Sequence, residues 1–250
     1  MKAKHSKAKT LGFNLVGLLL GVVLVCLGLW QLERAEYKRL LQDRFFENQA
    51  MLPLRETELA RPGVEKQAVE ITSELAFRQL RLSGRFDPDR SFLLDNQVFK
   101  GRLGYRVISL FVSDTQRSYL LDRGWLPAEK NRGIPDVIET PHGPVMVLSV
   151  IWPNLGHLPV LKADPLKPGW PRRIQSADIA QMQKALKKTV FPSILHIERA
   201  QPGSLQALNR QISFKPERHT AYAVQWFGLA GVMLIGLCVL HRRGKEYSAV

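Results

Sequence analysis

His219 stands directly against an uncharged run at residues 220–240, and on a helix starting there Tyr222, Ala223 and Trp226 follow at i+3, i+4 and i+7, on the same face as the imidazole. One polar ring thus heads an aromatic stripe. Two readings fit. In the first, His219, Tyr222 and Trp226, with Trp30 near the end of an earlier apolar run, form an aromatic belt at a membrane–water interface. In the second, His219 is an axial haem ligand: neutral imidazole binds iron, the apolar stripe accepts a macrocycle, and Arg34 or Arg218 meets a propionate. Arg123-Gly124-Trp125, which follows a strand pattern, reads as a sheet-end turn or as a binding corner. No nucleophile elbow, phosphate-cradling glycine loop or metal-ligand cluster occurs. His142, His157 and His196 are isolated, without partners at ligand spacing, and read as ordinary surface or turn histidines, while His241 lies in a basic flank and reads as an anchor.

Two elements must position His219 and Trp30. Residues 11–29 contain no charged side chain, a length that crosses the roughly 30 Å hydrocarbon core of a bilayer at about 1.5 Å per residue. Residues 220–240 are equally apolar, and the charge and proline between the two runs exclude a third span. Lys2, Lys4, Lys7 and Lys9 precede the first run and Arg242, Arg243 and Lys245 follow the second, which places both termini in the cytoplasm. The first run is long for a cleaved secretory signal and enters Trp30-Gln31-Leu32-Glu33-Arg34 without a small-x-small cleavage site, so it reads as an uncleaved anchor. Since the two helices run in opposite directions, Trp30, Gln31 and Arg34 lie at about the depth of His219. Of the net charge of +14, the seven basic tail residues less Glu246 account for +6, leaving +8 spread over the middle segment. That dispersal fits solubility near anionic lipid and argues against nucleic acid. Cys26 and Cys238 both fall inside the apolar runs, as small packing residues, so the exported segment relies on its core rather than on a disulfide.

After the first span, residues 32–48 keep apolar groups at Leu32, Tyr37, Leu40, Leu41 and Phe45 between charges, an amphipathic stalk helix. Residues 51–70 read as loop or short irregular helix. Strand patterns occupy 77–83, 91–98, 104–112, 118–125 and 145–152, with alternation plain at Tyr105, Val107, Ser109 and Phe111. A helix is expected over 176–188, capped by Ser176, then a long strand over 191–198 and a short one over 211–214. The fold class is a membrane protein of α+β type: two transmembrane helices flanking an extracytoplasmic, mostly antiparallel β domain with one or two helices. Its expected divisions are a tail at 1–10, a span at 11–32, the domain at 33–219, a span at 220–240 and a tail at 241–250.

Three motifs in order resemble the Surfeit locus protein 1 family of cytochrome oxidase assembly factors, and together they cover nearly the whole chain. Gly28-Leu29-Trp30-Gln31-Leu32-Glu33-Arg34 with Lys38 is similar to its first-helix motif. Leu120-Leu121-Asp122-Arg123-Gly124-Trp125-Leu126-Pro127 is similar to its central motif, with Asp122 where Asn is usual, and His219 through Ala230 resembles its second-helix motif. Residues 154–171 follow the family only loosely. The resemblance implies an inner-membrane protein aiding biogenesis of haem-copper oxidases, with haem a as cofactor, His219 as its ligand, and the oxidase catalytic subunit and haem a synthase as partners. It also marks Arg123 and Trp125 as a docking or structural corner. Without a transit peptide, a bacterial inner membrane with a periplasmic domain is expected.

Four functions are weighed on this basis. An assembly chaperone binds haem at His219 beside Tyr222, Trp226, Trp30 and Arg34, and performs no turnover chemistry. A scaffold holds an oxidase assembly intermediate and carries no haem. A sensor lacks room for an output domain in tails of about ten residues, and a carrier is disfavoured by two spans without charged midplane residues.

Overall fold

The computed structural model of the chain describes residues 2–59, 74–129, 133, 135, 138–153, 168–206 and 214–246. In chain order its elements are α1 (Lys2–Ala50), β1 (Leu54–Arg55), a 3-10 turn (Glu56–Leu59), β2 (Gln79–Phe99), β3 (Arg102–Ser113), β4 (Ser118–Pro127), β5 (Val145–Ile151), β6 (Arg172–Ile174), α2 (Ile179–Leu186), β7 (Ile194–Ile197) and α3 (Pro216–Glu246). They form two compact units, one of Met1–Asp43 with Ile212–Val250 and one of Arg44–Gln211. His157, the expected strand over 211–214 up to Phe214, and most of the expected loop from residue 60 onward lie outside the described residues.

The first unit is a pair of helices, each containing a stretch long and apolar enough to cross a membrane, Asn14–Ala50 and Pro216–Arg242. They run antiparallel, because successive positions along α1 meet successively earlier positions along α3. A Cβ placed on Gly17 would come within 2.8 Å of Leu237, one on Gly21 within 2.9 Å of Met233, and one on Gly28 within 2.5 Å of the Phe227 ring. Three α1 glycines thus form the hollow into which large α3 side chains seat, the close approach that small residues permit between apolar helices. Ala35, Ala223 and Ala230 are buried along the same pair. Residues 32–48, expected as a stalk, are one uninterrupted continuation of α1.

The second unit is a mixed sheet whose long registers are antiparallel, β2–β3, β3–β4 and β2–β5. β5 also pairs with β7 antiparallel and β7 with β4 in parallel, so the path β2–β3–β4–β7–β5 returns to β2 and closes a five-stranded barrel. Closure is possible because β2 serves both neighbours: its first six residues pair with β5 and the rest with β3. The handover falls at Gly84, where any Cβ would strike the Val112 carbonyl. Short parallel additions of β1 and β6 extend β2.

The two strands expected at 77–83 and 91–98 are therefore one. Between the two patterns, the carboxylate of Asp87 accepts the amides of Asp89 and Arg90 at 3.2 and 3.1 Å, and the strand passes through with a register irregularity. The helix expected from Ser176 begins at Ile179, because Asp178 rather than Ser176 caps it, accepting from the amides of Ala180 and Gln181. The strand expected over 191–198 is limited to Ile194–Ile197.

Side chains alternate between two cores. Leu80, Leu82, Phe86, Phe111, Tyr119, Leu121, Val147, Ile151 and Leu195, drawn from all five barrel strands, fill the interior. Phe92, Ile108, Leu110 and Leu120 point outward and are covered by Ile174 and by Met182 and Leu186 of α2. At the end of the interior, a single oxygen of Glu56 accepts hydroxyl hydrogen bonds from Ser113 (2.7 Å), Thr115 (2.7 Å) and Tyr119 (2.9 Å). Burial first, and the bond to Glu56 second, push the Tyr119 hydroxyl above the ordinary phenol range. Replacing Glu56 by Ala leaves buried hydroxyls without their acceptor. The expected loss is about 2–4 kcal/mol of unfolding free energy, read by tryptophan fluorescence during denaturation of the full chain in detergent; a loss below about 1 kcal/mol would show that the hydroxyls find other partners.

Candidate functional site

At the head of α3, His219 Nδ1 lies 2.8 Å from Gln31 Oε1 on α1, across 188 residues of sequence. One residue on, the Thr220 hydroxyl donates to Pro216 O and accepts from Arg39 Nη2, both at 3.3 Å. The first turn of α3 is thereby tied to α1 by two polar contacts. Thr220 also satisfies Pro216 O within that turn.

The expected stripe divides once α1 is in place. Ala223 is the member buried in the helix pair, Trp226 is half-buried, and Tyr222 is 53% exposed. The aromatic ring seated against α1 is Phe227, over Gly28, which the heptad-like spacing from His219 does not single out. Trp30 is 55% exposed, and the Arg34 guanidinium lies over the Tyr37 ring, 5.2 Å from its centre. Gln31 and Arg39 both make polar contacts with the head of α3. Gln31 lay within the first motif, but its partner was not legible because the pairing depends on how far the helices are slid past one another.

A neutral imidazole whose Nδ1 is engaged by an amide oxygen keeps Nε2 for a metal, and iron in a porphyrin accepts such a donor. The exposed Trp30 and Tyr222 offer apolar surface on either helix. An imidazole held in this way keeps Nε2 as the atom that would meet a haem iron, were one bound.

The other place of interest is Asp122-Arg123-Gly124-Trp125. These residues lie within β4, not at a sheet-end turn. Ile108 opposes Asp122 and Val107 opposes Gly124, so Arg123 is the extra residue of a bulge, with Gly124 at φ +117. The bulge turns the Arg123 guanidinium into the unit, 5.3 Å over the Phe86 ring. There it donates to Gly203 O at 2.6 Å, Thr140 Oγ1 at 3.0 Å, Ser109 Oγ at 3.4 Å and Glu139 O. Burial lowers its pKa to about 10, so it is still a cation at neutral pH, satisfied among the described residues by neutral oxygens. Trp125 closes the corner: its indole donates to Gln97 O at 2.9 Å and lies where a Cβ on Gly104 would be, and its amide donates to Gln206 O at 2.7 Å. Both side chains are 2% exposed. Their contacts are those of a structural corner, which joins β2, β3, residues 139–140 and residues 203–206.

Asp122 is held by the fold around it. Its carboxylate accepts from the Gly124 amide at 3.1 Å, pairs with Arg106 at 2.7 Å and approaches His196 Nε2 at 3.7 Å. His196, read as isolated, also stacks on Trp152 with ring centres 4.6 Å apart. A run of rings leads on from Trp152 to Phe77 and Phe45. Phe77 adopts φ +67, an unusual backbone for a bulky residue, with its carbonyl and that of Ala76 accepting from Gln49 and Asn48. These residues border a cleft of about 230 Å³ lined by Phe45, Gln49, Asp122, Arg123, Trp152, His196 and Arg199. Sequence reasoning missed it because its lining residues come from five separate segments.

The family model described as SURF1 family matches residues 18–231. A SURF1-like protein of Rickettsia prowazekii is 25% identical over 234 residues, covering 90% of this chain and 87% of its own. Another from Rickettsia felis is 25% identical over 238 residues, covering 92% and 96%. An uncharacterized SURF1-like protein of Mycobacterium bovis is 24% identical over 162 residues, covering 64% and 58%.

Exchange of Arg123 for Lys keeps the charge but not the planar fork that reaches several oxygens at once. We expect Arg123→Lys to lower the unfolding free energy of the full chain in detergent by about 2–4 kcal/mol, seen as a lower denaturation midpoint. An unchanged midpoint would mean that the corner does not depend on the fork.

Proposed function

The chain belongs to the SURF1 family, and from that premise we propose that it is an assembly factor for haem-copper cytochrome c oxidase which holds haem a through His219 and aids its insertion into the catalytic subunit. The observation that supports the haem reading most directly is the placement of His219, half-buried at the head of α3 with Nδ1 on Gln31, while Trp30 and Tyr222 are exposed on the two helices. In this reading α1 and α3 cross a bacterial inner membrane, both termini are cytoplasmic, and the β unit works in the periplasm beside the oxidase subunit and haem a synthase. Haem, when bound, supplies the iron and the macrocycle. Of the chain's residues, His219 holds the iron, Trp30, Tyr222 and Trp226 shield the ring, and Arg34, freed from Tyr37, meets a propionate. Arg123 and Trp125 serve docking indirectly, by keeping the shape of the corner. No bond of a substrate is made or broken by the protein.

Two measurements test this. Chain purified in detergent after co-expression with haem a synthesis should carry a Soret band, which His219→Ala abolishes while the helical content stays unchanged; no band in the wild type would sink haem handling and leave a scaffold for an assembly intermediate. For orientation, in a background with Cys26 and Cys238 replaced by Ser, a membrane-impermeant maleimide should label His142→Cys in intact cells and Lys4→Cys only after lysis, and the reverse pattern would overturn the topology.

A further inference from the structure

The contact between His219 and Gln31 does more than join two helices. A carbonyl oxygen carries no proton, so the ring nitrogen 2.8 Å from Gln31 Oε1 must donate one. A neutral imidazole has a single N–H. With that proton on Nδ1, the lone pair resides on Nε2. From this geometry we propose that Gln31 is a positioning residue: it holds His219 as the Nδ1–H tautomer and presents Nε2 as the donor atom for iron. The inference rests on the reading of His219 as the haem ligand, and it adds a residue that acts through that ligand rather than on the haem itself.

The surroundings make Gln31 suited to this work. Gln31 lies three residues beyond Gly28, whose missing side chain admits the Phe227 ring and so sets the separation of α1 and α3 at this level. A larger residue at 28 would push the amide out of reach of the imidazole. Thr220, held by Arg39 and by Pro216 O, fixes the backbone next to the ring. The imidazole is half-buried, so water competes poorly for Nδ1. Ligands to metals commonly use their second ring nitrogen in this way, and loss of such a partner weakens metal binding by roughly 10–100-fold.

The test reads the tautomer before it reads haem. In full-length protein labelled with 15N-histidine, in detergent micelles free of haem and at about pH 8, where an ordinary imidazole is neutral, two-bond proton–nitrogen correlations distinguish a protonated ring nitrogen from one with a lone pair. The His219 signals are identified by their absence in His219→Gln. Wild type should show Nδ1–H and a bare Nε2. Gln31→Leu should move the population toward Nε2–H, and Gln31→Glu, which keeps an oxygen acceptor, should restore Nδ1–H. A wild type already at Nε2–H, or a Gln31→Leu protein with an unchanged tautomer, overturns the proposal. Titration with haem then follows: Gln31→Leu should bind roughly 10–100-fold more weakly than wild type, with Gln31→Glu close to wild type. Equal affinities would overturn the role of Gln31 while sparing His219 as ligand. Failure of the wild type to bind haem would instead remove the reading of His219 on which the role depends.

Discussion

The β unit depends on a buried cation. Arg123 is pushed out of register by a bulge in β4, and its guanidinium is taken up by oxygens of β3, of residues 139–140 and of Gly203. A charge removed from water costs several kcal/mol unless each of its donors finds an acceptor, and here the acceptors come from three separate segments, one of which is also tied to β4 by the bonds of Leu205 and Gln206 to its backbone. Gly124 and Gly203, both at positive φ, permit the bulge and the returning chain. Trp125 then seals the far side of the strand.

In the helix pair the governing constraint is separation. Three glycines on α1 accept Leu237, Met233 and Phe227 of α3, and only at that distance do Gln31 and His219 come within a hydrogen bond. Packing along the apolar length and the polar contact at its end are one arrangement. The glycines set the reach and the amide sets the orientation of the ring.

Much was legible in the residues themselves. Uncharged length marked α1 and α3, and alternation located β3, β4 and β5 within a residue or two, because both signals are local consequences of helical rise and strand pleat. The ends of elements were less so. Two strands expected at 77–83 and 91–98 are one strand bent at Asp87, and Asp178 rather than Ser176 caps α2, because each outcome depends on which backbone amides a nearby carboxylate reaches. His196 looked isolated because Trp152 and Asp122 stand far from it in sequence.

Sequence alone determined the class of the chain: two apolar helices around a strand-rich segment, with a histidine at the head of the second helix and three motifs that resemble those of a family. Tertiary structure decided the partners. That Asp122 pairs with Arg106, that Arg123 turns inward, that Phe227 rather than Trp226 meets α1, and that Gln31 faces His219 all depend on register and helix offset. Those quantities arise from the packing of many side chains at once, whereas periodicity records only which face of an element each residue occupies.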